Sequence, residues 1–184
     1  MKKLITAALI VILALGISAR IYYVNANRHK PVLIEAAQGE KIEFGYVEYS
    51  VESAAMWDYN DFFEQYPQYS DYGNMPNGND YKLLLVNLKY EMSPRYNEEE
   101  THLQSQLYIT YPYSIEGSDP FFMSDMNDAE TVKATHVYTI PFNIYTSDAE
   151  RWNNDVEHME FRIVFGTYPE RKELIVSDYE VIDE

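Results

Sequence analysis

Tyr81-Lys82-Leu83-Leu84-Leu85-Val86-Asn87-Leu88-Lys89-Tyr90-Glu91-Met92 is the stretch that decides how this chain folds. Leu84, Val86, Leu88, Tyr90 and Met92 recur at every second position, the period of a strand with one buried face. Leu83 and Leu85 fill the opposite face at the start, and Asn87, Lys89 and Glu91 make it polar further on. The run predicts a strand covered on both faces at one end and half-exposed at the other.

Working outward toward the N-terminus, residues 67–80 hold Pro, Gly, Asn, Asp and Tyr without a period and read as a loop. Ala55, Met56, Tyr59, Phe62, Phe63 and Tyr66 fall at three- and four-residue spacing, Ser53 can cap, and Pro67 stops the run. That predicts an amphipathic helix over about 54–65. In Lys41–Val51, Ile42 and Phe44 alternate in one phase and Val47, Tyr49 and Val51 in the other. The flip at Gly45 calls for a bulge or a tight turn there. Val32–Glu35 is extended.

Toward the C-terminus, residues 93–100 form a charged connection in which Glu98-Glu99-Glu100 reads as a solvated face. Leu103, Ser105, Leu107, Ile109, Tyr111 and Tyr113 then alternate as a half-buried strand. Residues 114–130 are loop-like around Phe121-Phe122-Met123. Val132–Tyr145 is extended, with Pro141 marking an edge or an exit. Ser147 and Glu150 make a capping box for one or two helical turns. Met159, Phe161, Ile163 and Phe165 alternate again, and a turn over Gly166–Lys172 leads to a closing strand at Glu173–Ser177. Seven or eight strands, one or two short helices and no βαβ alternation predict a mainly antiparallel β-sandwich.

The chain has 184 residues, 30 acidic and 14 basic, for a net charge of −16, and no cysteine. Residues 1–30 carry Lys2, Lys3, Arg20, Arg28 and Lys30 and no acid, so the remainder is more acidic still. Such a domain repels phosphate backbones, which excludes nucleic acid as a partner. Without cysteine there are no disulfides, no thiolate chemistry and no thiolate metal site. Stability must come from a hydrophobic core, which a domain of this size can build.

Lys2 and Lys3 precede an apolar run from Leu4 to Ile17, and Ile21-Tyr22-Tyr23-Val24 follows Arg20. Residues 1–24 read either as a cleaved signal peptide or as an uncleaved anchor spanning Leu4–Val24, with Tyr22 and Tyr23 at the interface. Both readings place the following residues outside the cytoplasmic membrane. Residues 25–31 are a polar linker, and residues 32–184 form one domain.

The search for chemistry finds little. There is no Gly-x-Ser-x-Gly, no His-Glu-x-x-His and no phosphate-cradling glycine loop. His29, His102, His136 and His158 are scattered, His136 sharing a predicted strand face with Ala134, Tyr138 and Ile140. Asp71, Asn74, Asn77, Asn79 and Asp80 lie in one loop and Asp125, Asn127 and Asp128 in another. Neither set follows calcium-loop spacing, so they read as turn residues. No catalytic residue, metal site or cofactor is expected. The aromatic load is unusual, with 18 tyrosines. Trp57, Tyr66, Tyr69 and Tyr72 are the candidate binding residues, since exposed rings can stack on sugars or anchor a protein.

A leader, then Gly39-Glu40-Lys41-Ile42-Glu43-Phe44, then Asp58-Tyr59-Asn60-Asp61-Phe62-Phe63-Glu64-Gln65-Tyr66, then Lys82–Tyr90 and Tyr138-Thr139-Ile140-Pro141 together make a recognisable order. It resembles uncharacterised extracytoplasmic domain families of Gram-positive bacteria with a telokin-like, immunoglobulin-like sandwich. The resemblance implies an immunoglobulin-like fold and an extracytoplasmic location, and carries over no catalytic residue. It departs at Glu91-Met92-Ser93-Pro94, where those families often carry Asn. The expected function is a membrane-anchored or secreted, non-enzymatic interaction module at the cell surface. Its partner would be an unidentified surface protein or a cell-wall component. The alternatives are a carbohydrate or cell-wall binding module and a small hydrolase using acidic residues.

Overall fold

The computed structural model describes residues 2–26, 30–94, 107–112, 114–146, 156–166 and 169–182, with the backbone alone for residues 2–12 and Glu157. His29, His102, Glu98–Glu100, Leu103, Ser105 and the Ser147–Glu150 capping box lie outside the described residues. The chain divides into two units, Met1–Pro31 and Val32–Glu184. The first holds helix α1 (Lys2–Ala26). Among the described residues no helix is long and apolar enough to cross a membrane. The anchor reading rests on the apolar sequence of residues 4–24.

The second unit is mainly β. Its described strands are β1 (Val32–Ala36), β2 (Ile42–Phe44), β3 (Val47–Asp58), β4 (Tyr81–Met92), β5 (Tyr108–Tyr111), β6 (Ser114–Gly117), β7 (Val137–Tyr145), β8 (Phe161–Gly166), β9 (Glu170–Val176) and β10 (Glu180–Ile182). Helices α2 (Tyr59–Gln65), α3 (Pro120–Met126) and α4 (Ala129–Thr135) complete it. One sheet runs β1-β9-β8-β5-β6; the other runs β10-β3-β4-β7, with β2 also paired to β3. The pairings are antiparallel except β1 with β9 and β10 with β3.

Alternation in the sequence becomes the core between the sheets. Leu84, Val86, Leu88 and Tyr90 of β4 meet Val51 and Met56 of β3, Phe142 and Ile144 of β7, and Ile109, Ile163, Phe165 and Leu174 of the other sheet, all buried. Each large apolar side chain so placed contributes roughly 1.5–3 kcal/mol. β4 spans the predicted residues, with Leu83 buried on its second face; Met92, at the end, is exposed. Pro141 lies in β7, an edge strand, as a residue without an N–H donor should.

The phase flip at Gly45 is a hairpin. Gly45 and Tyr46 alone join β2 to β3, with φ of 60° and 63°. Both left-handed φ values suit the turn that matches strand twist, but tyrosine is strained there. Tyr46→Gly is expected to raise stability by about 0.5–1 kcal/mol, seen as a higher urea midpoint; an unchanged or lower midpoint would show that the Tyr46 side chain offsets the strain.

Several expectations are corrected. Residues 54–58 belong to β3, not to a helix. Pairing with β4 continues to Asp58–Lys82, and a bulge between Val51 and Ser53 shifts the phase by one residue. Ala54 and Met56 therefore stay buried inward, and a bulged strand running into a helix imitates helical spacing. Asp58, not Ser53, caps α2, accepting the Asn60 N–H at 3.1 Å; the Ser53 hydroxyl accepts from Asn87 Nδ2 at 2.8 Å.

Residues 114–135 are not loop followed by strand. They form β6, α3 and α4, the helices capped by Asp119 and Asp128 and too short to show a period. His136 ends α4 at φ 58°, so it shares no strand face with Ala134. Residues 67–72 and 78–80 are 3₁₀ turns rather than irregular loop. The described strands number ten, because β6 and β10 are too short to announce themselves in sequence. In the second sheet β4 sits between β3 and β7 in sequence as well as in space.

Candidate ligand-binding site

The aromatic segment builds a second core on the outer face of the β3-β4 sheet. Trp57, Tyr59, Phe62, Leu83 and Phe122 are buried there, with Tyr66, Tyr69 and Tyr72 packed half-buried around them. Trp57 meets Phe62 and Tyr66 edge-on, at 5.6 and 5.7 Å between ring centroids. Tyr69 lies parallel to Phe62 at 6.2 Å, and Tyr72 stacks on Phe122 at 4.7 Å. The structure thus gathers all four predicted binding residues, but ring against ring. Tyr66, Tyr69 and Tyr72 are half-buried rather than fully exposed: Tyr69 and Tyr72 pack on Phe122 of α3, and Tyr66 packs on Trp57 and Phe62.

Tyr72 also donates its hydroxyl to Asp125 Oδ2 at 2.6 Å, which pushes its phenol up to about 12. A raised folded value means the bond stabilises fully below the ordinary phenol value of about 10 and is lost as pH rises through about 12. Wild type should be more stable than Tyr72→Phe at pH 8, and the gap in melting temperature should close between about pH 10 and 12. A gap constant across that range would mean the bond is not formed.

The loop oxygens have local work. Asn79 Oδ1 accepts from Asn60 Nδ2 at 2.6 Å, and Asn74 Nδ2 donates to the Asp71 carbonyl at 3.2 Å. Asp128 caps α4. Among the described residues no three His, Cys, Asp or Glu side chains are grouped to hold a metal. His136 is exposed beside the Tyr90 ring, and His158 is exposed in a 3₁₀ turn.

A cleft of about 420 Å³ opens where β6 meets β7 and β4, lined by Met75, Tyr81, Ser114, Glu116, Asn143 and Tyr145. Tyr81 and Tyr145 are register partners, their rings 5.1 Å apart and tilted by 51°. The Tyr145 N–H donates to the Tyr111 hydroxyl at 3.2 Å. That hydroxyl donates in turn to Glu116 Oε1 at 3.5 Å, and Ser114 Oγ donates to the same oxygen at 3.1 Å. Burial pushes the Tyr111 phenol up, so it remains a donor. This chain ties β5, β6 and β7 together behind the cleft. Glu116 Oε2, the Asn143 amide and the Tyr81 and Tyr145 hydroxyls have no hydrogen-bond partner among the described residues.

A second cleft, about 380 Å³, is lined by Tyr90, Met123, Asn127, Val132, Lys133 and Tyr138. Its amide is already engaged. Asn127 Nδ2 donates to the carbonyls of Met123 and Thr139 at 2.6 and 2.7 Å, and its Oδ1 accepts the Thr139 N–H at 2.7 Å. Asn127 therefore satisfies the open edge of β7 as another strand would. The first cleft is the candidate site. Sequence reasoning missed it because Tyr81, Asn143 and Tyr145 meet only through strand register, and Glu116 lay in a stretch read as loop.

The molecule so described is a two-sheet β domain with an aromatic and polar cleft at one sheet junction. Compared with known protein families, curated proteins and solved structures, the chain matches none.

Proposed function

We propose that this chain is a non-enzymatic binding module at the outer face of the cytoplasmic membrane, anchored or released through residues 1–24. One observation carries the binding reading: the Glu116 and Asn143 side chains and the hydroxyls of two tyrosines line one open cleft, with polar atoms that have no hydrogen-bond partner among the described residues. Unsatisfied polar groups around a concave surface are what a ligand would satisfy. Acid hydrolysis of a glycoside needs two carboxylates roughly 5–10 Å apart, and Glu116 is the single carboxylate among the described residues lining this cleft. Lys2, Lys3 and the apolar run after them support the location. The kinship proposed with immunoglobulin-like extracytoplasmic families rests on two packed sheets behind such a leader, not on strand order.

The test is protease treatment of intact cells expressing the full chain with a C-terminal tag, alongside in-cell crosslinking from a photoreactive residue at Met75, which is exposed and lines the cleft. Loss of the tag and capture of a surface protein or wall glycan are expected, with capture weakened by Asn143→Ala. A protected tag would overturn the location, and capture indifferent to Asn143 would overturn the cleft as the site.

A further inference from the structure

We infer that the cleft between β6 and β7 binds a neutral sugar ring, stacked on Tyr145 and Tyr81 and hydrogen-bonded by Asn143 and Glu116. The inference rests on the binding-module reading and names its ligand class. Three observations carry it.

The first is hydrogen-bond inventory. Each sugar hydroxyl both donates and accepts. The free Glu116 Oε2 accepts only, the Asn143 amide offers both a carbonyl and an NH₂, and the two phenols do either. Adjacent ring hydroxyls can bridge such an alternating set. The second is shape. Tyr81 and Tyr145 splay at 51° and are half-buried, so a partly apolar ring face can rest on them. A cleft of about 420 Å³ falls within the range of small-molecule sites. The third is charge. Glu116 in the cleft and a net charge of −16 overall oppose phosphorylated or uronic sugars. The site is also held ready: Ser114 and Tyr111 fix Glu116, and Tyr111 receives the Tyr145 backbone. Little ordering is left to do on binding.

The experiment is retention of the full-length protein, in a non-glycosidic detergent, on immobilised polysaccharides: a β-1,4-linked N-acetylglucosamine polymer, neutral α- and β-glucans, and anionic polygalacturonate. Retention on at least one neutral polymer, competed by its soluble oligosaccharide, is expected, with none on polygalacturonate. Asn143→Ala and Glu116→Gln should each weaken apparent affinity about tenfold, while Tyr69→Phe, in the second core, should not change it. Far-ultraviolet dichroism confirms that each variant is folded. Retention on polygalacturonate alone, on nothing, or without dependence on Asn143 and Glu116 would overturn the inference. The Met75 crosslink separates the two failures. A cleft-dependent protein adduct leaves a binding module with a different ligand, whereas no cleft-dependent adduct and no sugar retention removes both.

Discussion

Phe122→Ala is expected to lower the unfolding free energy by about 3–5 kcal/mol, whereas Phe121→Ala one residue earlier should change it by less than about 0.5 kcal/mol. Phe122 is 1% exposed and Phe121 76%. The Phe122 ring lies 4.7 to 6.3 Å from those of Tyr72, Tyr69, Phe63 and Phe62. Truncation leaves a void that these rigid rings cannot close, so the transfer loss and the cavity loss add. Urea unfolding of the full chain, followed by tryptophan fluorescence, reads both variants. Equal losses would mean that the second core is not organised around Phe122. Because Phe62, Tyr69 and Tyr72 lean on it, Phe122→Ala should also expose the 57–72 segment to faster hydrogen exchange than the β4–β7 pair.

The second large effect concerns charge on the outer face of the β8-β9 sheet. Arg162 Nη1 donates to Glu173 Oε2 at 3.0 Å and also to Glu35, and its Nη2 donates to Glu160 Oε1 at 2.6 Å. Arg171 Nε donates to Glu173 as well. The Glu173 side chain is 2% exposed, while Glu35 and Glu160 are 38% and 46% exposed. A buried carboxylate that loses a guanidinium keeps its desolvation cost, so Arg162→Met should destabilise by about 3 kcal/mol. Glu35→Gln and Glu160→Gln should each cost under about 1 kcal/mol, since their pairs face solvent. The double variant Arg162→Met with Glu173→Leu should recover to within about 1 kcal/mol of wild type, because it removes both charges at once. A double variant as unstable as the single one would show that Glu173 holds the fold by more than its pairing with Arg162.

Both residues show where sequence reading runs out. Phe121 and Phe122 are the same amino acid side by side, and only the docking of α3 sends one inward. Glu173 looks like an ordinary polar residue of a half-exposed strand; its burial follows from Arg162 and Arg171 gathering over it. Trp57, Tyr66, Tyr69 and Tyr72 could be seen as a cluster in sequence, but whether the cluster faced solvent or a second core depended on Phe122, 50 or more residues away in the chain. The β3 bulge at Val51 and Ser53 misled in the other direction, imitating a helix where pairing with β4 persists.

What the sequence by itself determined is what local pattern can encode. The two-residue alternation of β4 and β8, the turn at Gly45, the edge position of Pro141 and the mainly β architecture all follow from periods and backbone preferences within a few residues. Tertiary structure alone decided the rest. Strand register brings Tyr81 against Tyr145, a crossing between sheets sets Glu116 beside Asn143, and parallel pairing ties β1 and β10 to distant strands. The physical reason is range. Alternation is a property of consecutive side chains competing for one face, while register and sheet order are fixed by packing of the whole core, which no short window of sequence contains.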